Sequence, residues 1–210
     1  MKHVLLAAVL CAPFAAMAAE ANGNPFTQGS AEAGAAKATA CVACHGPGGN
    51  SANPEWPKLA GQGARYLYDQ LNWFKNGQRV NPLMNAQAAA LSDQDMRDLA
   101  AYFAAQPFVP GVASEAAIPV AQKLYRSGDA ARGLPACAAC HGPSGAGVVP
   151  SGYPRIGGQH AKYVGNVLRV FRTESAKPLP DGNLKTMAAV AAKLSDAEID
   201  ALASYVNGLQ

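Results

Sequence analysis

Long apolar runs, strand-like alternation and clustered basic residues are all scarce in this sequence. Beyond the N-terminal segment, no stretch approaches the ~20 apolar residues that a transmembrane helix needs, which predicts a soluble mature protein. Little apolar–polar alternation is present, so the chain is expected to be helical. The basic residues are scattered, which gives nucleic-acid binding no support. The sequence has 5 cysteines, and all but Cys11 fall in two short motifs.

Each motif has the form Cys-X-X-Cys-His, over residues 41–45 and 137–141. Two thiols at this spacing reach the two vinyl groups on one edge of a porphyrin, and the adjoining histidine is held over the iron as an axial ligand. The motifs therefore predict two covalently bound haem c groups, held by Cys41, Cys44, His45, Cys137, Cys140 and His141.

Three other interpretations of a Cys-X-X-Cys pair are weaker here. A thioredoxin-like pair follows a strand, whereas the residues before Cys41 are rich in alanine and favour helix. A structural zinc site needs two more ligands at matching short spacing, and His160 could serve only one half. A disulfide in an exported protein is the third alternative.

The N-terminus has the pattern of a secretory signal. Basic residues precede an apolar run over 4–16, and small residues up to Ala19 offer a cleavage site, which predicts a signal peptide over 1–19 and a periplasmic mature chain. Cys11 raises the alternative of a lipoprotein. Leu10 is bulkier than lipoprotein processing tolerates, so lipidation is not favoured.

An internal repeat divides the mature chain. Residues 57–66 match 154–163, and residues 91–102 match 194–205. We therefore expect a first domain over 20–106, a proline-rich linker over 107–119 and a second domain over 120–210. The second copy carries a short insertion that resembles a loop, marked by Ser175, Lys177, Pro178, Pro180, Asp181 and Gly182.

Helical signals recur in both copies. Ser92 and Ser195 are each followed by acidic residues and apolar residues at helical spacing, which predicts an N-cap and a terminal helix. A middle amphipathic helix is predicted over 64–75 and its counterpart over 161–171. The expected fold class is all-α, with two tandem helical domains, each around one covalent haem.

The three methionines beyond the signal are candidates for the sixth iron ligand. Met96 lies on the apolar face of a terminal helix and aligns with Ile199, which indicates packing. Met84 and Met187 align with each other, and both are expected in loops before the terminal helices, so each is predicted to ligate iron opposite the histidine. Ordinary core or loop methionines are the alternative.

Two further features concern the iron ligands. His160 could make the second haem bis-histidine, but its repeat partner is Gly63 and it precedes a surface helix. Pro57 and Pro154 follow their histidines by about a dozen residues and could place a carbonyl against the imidazole Nδ1–H. A simple turn proline is an equally good interpretation.

On these residues the chain resembles the dihaem cytochrome c4 family, built from two class I cytochrome c domains. The resemblance covers nearly the whole mature sequence, including both haem motifs, the Pro-(Lys/Arg)-(Leu/Ile)-(Ala/Gly)-Gly-Gln segments, Met84 and Met187. It implies a periplasmic electron carrier whose domains face each other and whose irons have His45 with Met84 and His141 with Met187 as ligands. It also implies redox-protein partners, with a quinol-oxidising complex as donor and a terminal oxidase as acceptor.

Two irons closed by protein ligands leave no position for a substrate, so we expect a carrier, not an enzyme, with no small-molecule substrate. The alternative is a dihaem oxidoreductase of peroxidase or thiosulfate dehydrogenase type, which needs one open haem site. A cytochrome subunit of a membrane oxidase would ordinarily need an anchor.

Charge is uneven between the halves. From residue 20 to 113 there are six basic and seven acidic side chains, a net −1, and from residue 114 onward ten basic and seven acidic, a net +3. The second half is therefore predicted to make salt-sensitive contact with an acidic partner or, peripherally, with the inner membrane, through Lys123, Arg126 and Arg132. Solvated charges without a partner are the alternative.

Overall fold

The computed structural model describes residues 28–175 and 182–210. The predicted signal peptide and Cys11 lie outside the described residues. So does most of the predicted insertion, namely Lys177, Pro178, Pro180 and Asp181.

The described part of each repeat is built from α-helices joined by turns. The first repeat contains α1 (Ala31–Lys37), α2 (Thr39–His45), α3 (Ala64–Lys75), α4 (Pro82–Ala89) and α5 (Asp93–Ala104). The second contains α6 (Ile118–Ser127), α7 (Ala138–His141), α8 (Ala161–Glu174), α9 (Asn183–Ala191) and α10 (Asp196–Asn207). Among the described residues the only β pairing is two isolated bridges. The predicted all-α fold is confirmed.

The terminal helix of each repeat is its packing centre. In the first repeat, α5 packs against α1 and α3 around Leu99, Ala100 and Phe103, each no more than 3% exposed. In the second, α10 packs against α6 and α8, and Ile199 and Leu202 are similarly buried. The apolar periodicity of both helices was visible in the sequence, and burial of that face against two helices is what holds each repeat together.

Both terminal helices begin at the predicted serine N-cap, which in each case forms a capping box. The Ser92 side chain accepts a hydrogen bond from the amide of Asp95, whose carboxylate accepts one from the Ser92 amide. Ser195 and Glu198 repeat this arrangement. Each box satisfies two backbone amides that the helix leaves without a partner.

Several predicted element assignments need correction. Met84 and Met187 lie in the short helices α4 and α9, not in loops. Helix α4 forms because Asn81 caps it and Pro82 occupies its first position, where the missing amide costs nothing.

Two predicted boundaries also shift. Helix α8 continues to Glu174, three residues past the predicted end. Helix α6 begins at Ile118, within the predicted linker, because Pro119 is tolerated in a first helical turn.

Candidate haem sites

Each Cys-X-X-Cys-His motif presents its three functional side chains from a single helical turn. Cys41, Cys44 and His45 lie in α2. In the second repeat Cys137 is the N-cap of α7, which contains Cys140 and His141. Positions three and four apart share one helix face, so two thiols and an imidazole point to the same side.

Glycine ends both helices directly after the histidine. Gly46 and Gly142 have φ of +76° and +78°, a backbone conformation that residues with a side chain rarely adopt. At Gly46 a Cβ would lie 2.4 Å from the carbonyl oxygen of Asn50. Glycine therefore lets the chain turn sharply away from the imidazole and fold back beneath it.

The returning loop is fixed by the same backbone bonds in both repeats. The amide of Leu59 donates to the Gly49 carbonyl at 2.7 Å, and the amide of Ile156 donates to the Gly145 carbonyl at 2.8 Å. These bonds close the loop, which brings the proline two residues earlier back to the histidine.

Both prolines place a carbonyl against the imidazole, as one of the two sequence interpretations predicts. His45 Nδ1 lies 2.8 Å from the Pro57 carbonyl oxygen, and His141 Nδ1 lies 3.0 Å from that of Pro154. A carbonyl only accepts, so Nδ1 carries the proton and donates it. Nε2 is then left with a lone pair for a metal.

Burial sets the protonation of the motif side chains. His45 and His141 are 7% and 5% exposed, and burial lowers the pKa of both, opposed by the bond to the proline carbonyl. Both imidazoles are therefore neutral near pH 7, the form that coordinates iron. Burial raises the pKa of the Cys41 thiol, and it raises that of Cys137 to about 11.

Each methionine-bearing helix packs against the middle helix of its own repeat. Helix α4 lies against α3 and α9 against α8, with Met84 and Met187 each partly buried. A cleft of about 520 Å³ separates α9 residues from Gly133 and Pro135, which lead into the second motif. Met96 is 3% exposed on α5, which confirms it as a packing residue.

The competing interpretations of the cysteine pairs find little support in the described residues. No group of three or more His, Cys, Asp or Glu there could hold a metal ion between them. No disulfide joins the motif cysteines in the described part of the chain, and both motifs sit on helices instead of following strands. The residues present fit a haem c in each repeat: paired thiols, and a neutral imidazole with Nε2 free.

His160 has a different role from ligation. It is the N-cap of α8, and its Nε2 lies 2.8 Å from the carbonyl oxygen and 3.0 Å from the hydroxyl of Ser51 in the first repeat. The carbonyl accepts, so Nε2 donates and its lone pair is not available to iron. His160 joins the two repeats.

Other residues that join the repeats were not predicted as functional. Gln62 and Gln159, at matching positions, each bind the backbone of the opposite repeat, at Arg155 and Lys58. Both glutamines are visible in the sequence as part of the repeated Pro-(Lys/Arg)-X-X-Gly-Gln segment. A repeat does not show, however, that these side chains face the other copy.

An arginine near the interface binds tyrosines from both repeats. Arg79 donates to the Tyr163 hydroxyl at 3.0 Å and lies beside Tyr66, the repeat partner of Tyr163. Burial, reinforced by Tyr163, raises the pKa of Tyr66 to about 12, so the Tyr66 phenol is neutral in the physiological range. Arg79 also donates to the side-chain oxygen of Gln70.

Comparison with known proteins identifies the family. The Cytochrome c family model matches residues 31–106 and again 122–210. The chain is 48% identical over 187 residues to cytochrome c4 of Pseudomonas aeruginosa, covering 89% of this chain and 92% of that protein. It is 39% identical over 208 residues to a thiosulfate dehydrogenase electron acceptor of Stutzerimonas stutzeri, covering 97% and 93%.

Among solved structures, reduced recombinant cytochrome c4 from Pseudomonas stutzeri superposes with a TM-score of 0.82 at 44% identity, over 87% of this chain and 100% of that one. Within the described residues, no helix is long and apolar enough to cross a membrane. Two matched domains, two haem motifs and relatives across most of the length lead to one conclusion: the chain belongs to the cytochrome c4 family of electron-transfer proteins and carries two covalently bound haem c groups.

Proposed function

We propose that this protein is a periplasmic carrier that shuttles electrons between redox proteins, with a histidine and a methionine as axial ligands at both haems. Cys41 and Cys44 would hold the first haem, with His45 and Met84 on its iron. Cys137, Cys140, His141 and Met187 have the same roles in the second repeat. The supporting observation is the matched His Nδ1–proline carbonyl bond in each repeat, which fixes the ring and leaves its Nε2 with a lone pair for a metal.

Bound haem supplies a one-electron iron couple whose potential a methionine ligand raises. The chain's own residues set the conditions. The proline carbonyls fix the imidazole rings, and burial of His45 and His141 keeps water from them. With a histidine and a methionine bound to each iron, no position would be left for a substrate, so the haems would exchange only electrons.

The donor and acceptor belong to the proposal as well. We infer a quinol-oxidising complex as donor and a terminal oxidase as acceptor, as the family resemblance implies. The 39% identity to a thiosulfate dehydrogenase electron acceptor over 97% of this chain favours a second donor, a sulfur-compound dehydrogenase. Either donor leaves the protein a carrier. Reduction of the purified protein by one of these enzymes, and not the other, would choose between them.

Methionine substitution tests the ligation. In the oxidised protein, Met84→Ala and Met187→Ala should each remove about half of the near-infrared methionine–iron charge-transfer band. Met96→Leu is the matched control, since Met96 is buried in α5, and it should leave the band intact. The double variant should lose the band entirely.

Two outcomes would defeat the proposal. A high-spin haem in the unsubstituted protein would indicate an open iron site and favour an oxidoreductase enzyme. A full-intensity band in either single variant would remove that methionine from the ligand set.

A further inference from the structure

The two repeats exchange a matched pair of glutamine contacts. The Gln62 amide accepts from the Arg155 backbone N–H at 2.7 Å and donates to the Arg155 carbonyl at 2.9 Å. The Gln159 amide accepts from the Lys58 N–H and donates to the Lys58 carbonyl, both at 2.9 Å. The glutamines are 6% and 7% exposed. Each glutamine side chain therefore binds both the N–H and the carbonyl group of one residue in the other repeat.

The peptide group bound by each glutamine is the one that binds the motif histidine. The Lys58 N–H and the Pro57 carbonyl belong to one peptide, and that carbonyl accepts from His45 Nδ1 at 2.8 Å. In the second repeat the Arg155 N–H and the Pro154 carbonyl form one peptide, which accepts from His141 Nδ1. A single planar peptide thus connects each histidine to a glutamine of the opposite repeat.

The direction of these bonds makes them cooperative. Gln159 accepts from the peptide N–H while His45 donates to the carbonyl of that same peptide. When the glutamine oxygen accepts a hydrogen bond from the peptide N–H, it polarises the peptide and increases the negative charge on its carbonyl oxygen. This strengthens the hydrogen bond that the carbonyl accepts from the imidazole. A stronger bond at Nδ1 makes the imidazole a more basic ligand at Nε2.

The turns that carry the glutamines are also held in place symmetrically. Gly61 donates to the Phe103 carbonyl at 3.0 Å, and Gly158 donates to the Val206 carbonyl at 2.9 Å. Across the interface, Arg155 Nε donates to the Gly61 carbonyl, and Lys58 Nζ donates to the Gly158 carbonyl. Each glutamine is therefore aimed at its target by its own terminal helix and by the opposite repeat.

We propose that each glutamine is a positioning residue for the haem of the other repeat: Gln159 acts through the Pro57–Lys58 peptide on His45, and Gln62 acts through the Pro154–Arg155 peptide on His141. This rests on the proposed ligation by the two histidines. The reduction potential of each haem then depends on the docking of the opposite domain.

Leucine at each glutamine tests the proposal, because it keeps the apolar volume and removes both hydrogen bonds. In a redox titration, Gln159→Leu should raise the potential of the first haem and leave the second unchanged, since a less basic imidazole stabilises ferric iron less. Gln62→Leu should raise the potential of the second haem and leave the first unchanged. The two potentials are assigned to the repeats by the wave that moves in Met84→Ala.

A spectroscopic signature accompanies the potential. In the reduced, ¹⁵N-labelled protein, the His45 Nδ1–H proton signal should move upfield in Gln159→Leu, while that of His141 stays in place. Asn166→Leu is the matched control, since it also leaves the net charge unchanged. It removes a bond across the interface, from Asn166 Nδ2 to the Glu55 carboxylate at 3.2 Å, which leads to neither histidine. It should move neither potential.

If a leucine variant does not fold, Gln159→Asn, shorter by one methylene, should give the same pattern with a smaller shift. Equal movement of both potentials in either variant, or movement of the same-repeat potential alone, overturns the inference and indicates general loosening of the interface. An intact methionine–iron band in these variants shows that the methionines still bind both irons. Loss of that band in the unsubstituted protein would instead refute the proposed function.

Discussion

At the scale of single residues, Glu198 combines two roles in the second repeat. It accepts from the Ser195 amide as part of the capping box, and Arg132 binds its carboxylate through two nitrogens, at 2.7 and 3.2 Å. The bond from Arg132, helped by those from Ser195 and opposed by burial, lowers the pKa of Glu198 from 4.5 to about 2. The folded state therefore binds this proton more weakly than the unfolded chain does.

The sign of the pH dependence follows from that depressed pKa. The stabilisation by Glu198 is fully present above about pH 4.5 and is lost as the pH falls toward about 2. Glu198→Gln should lower the free energy of unfolding at pH 7 and flatten its decline in that acid range. Urea unfolding at a series of pH values measures both effects. Glu115→Gln, at an exposed carboxylate, is the control, and an acid slope as steep in Glu198→Gln as in the unsubstituted protein contradicts the assignment.

Residue-scale prediction succeeded where the signal is local. The haem motifs, the serine caps and the packing role of Met96 all depend on neighbours within a few positions. The sequence alone does not decide the role of the proline carbonyls, since whether a loop of a dozen residues returns to its histidine depends on the Gly49 and Gly145 bonds that close it.

At the scale of elements, the crossing of α1 over α5 is unusually close. A Cβ added at Gly34 would lie 2.0 Å from the Asp98 carbonyl oxygen. Asp98, 2% exposed, anchors both ends of α1 by accepting from the Ser30 amide at 2.9 Å and from Lys37 Nζ at 2.6 Å. Small size at Gly34 is therefore required for the two backbones to meet.

Two helical glycines give opposite predictions for the same substitution. Alanine in a helix interior ordinarily stabilises by about 1 kcal/mol relative to glycine. Gly34→Ala should instead destabilise by about 1–3 kcal/mol, because the added methyl meets rigid backbone. Gly165→Ala in α8 is the matched comparison, where the nearest atom, 3.1 Å away, is the end of the Arg169 side chain, which can shift.

Thermal and urea unfolding of the two variants should therefore give changes of opposite sign, or a loss at Gly34 and little change at Gly165. Equal stabilisation of both variants would show that α1 moves away from α5 at little cost.

The short methionine helices show where element prediction failed. Helix α4 has clear start signals in Asn81 and Pro82, but its alanine-rich sequence has little apolar periodicity, so the pattern by itself indicates a loop. Asn85 donates to the Phe74 carbonyl of α3 and to the Arg79 carbonyl in the turn that follows, and these contacts complete the helix. Tertiary packing decided what local propensity left open.

At the scale of the whole molecule, the structure narrows the basic surface of the second half to fewer residues than the sequence predicts. Arg132 was expected to contribute to the basic surface, but it is bound to Asp129 and Glu198. Lys123 and Arg126 lie exposed on α6 and remain suited to an acidic partner. The candidate docking surface is accordingly that exposed face of α6.

Neutralising this face should weaken electrostatic steering. We expect Lys123→Gln/Arg126→Gln to lower the rate of electron exchange with an acidic redox partner at low salt and to reduce its dependence on ionic strength. Stopped-flow kinetics across a salt series measures both. Arg65→Gln/Lys162→Gln removes the same total charge elsewhere, and an identical loss in that variant would assign the effect to net charge instead of to this face.

The sequence by itself determined the chemistry and the plan of this protein. Haem attachment, the duplicated helical unit and the aligned methionines all follow from residues close together in the chain or from matching the two copies, because local spacing fixes what a single helical turn can present. The tertiary structure decided how the copies communicate. Gln62 and Arg155, or His160 and Ser51, are about a hundred positions apart, and the faces on which they meet are set by packing of the whole chain. The hydrogen bonds that connect each histidine's peptide partner to a glutamine of the opposite repeat form only once the two domains dock.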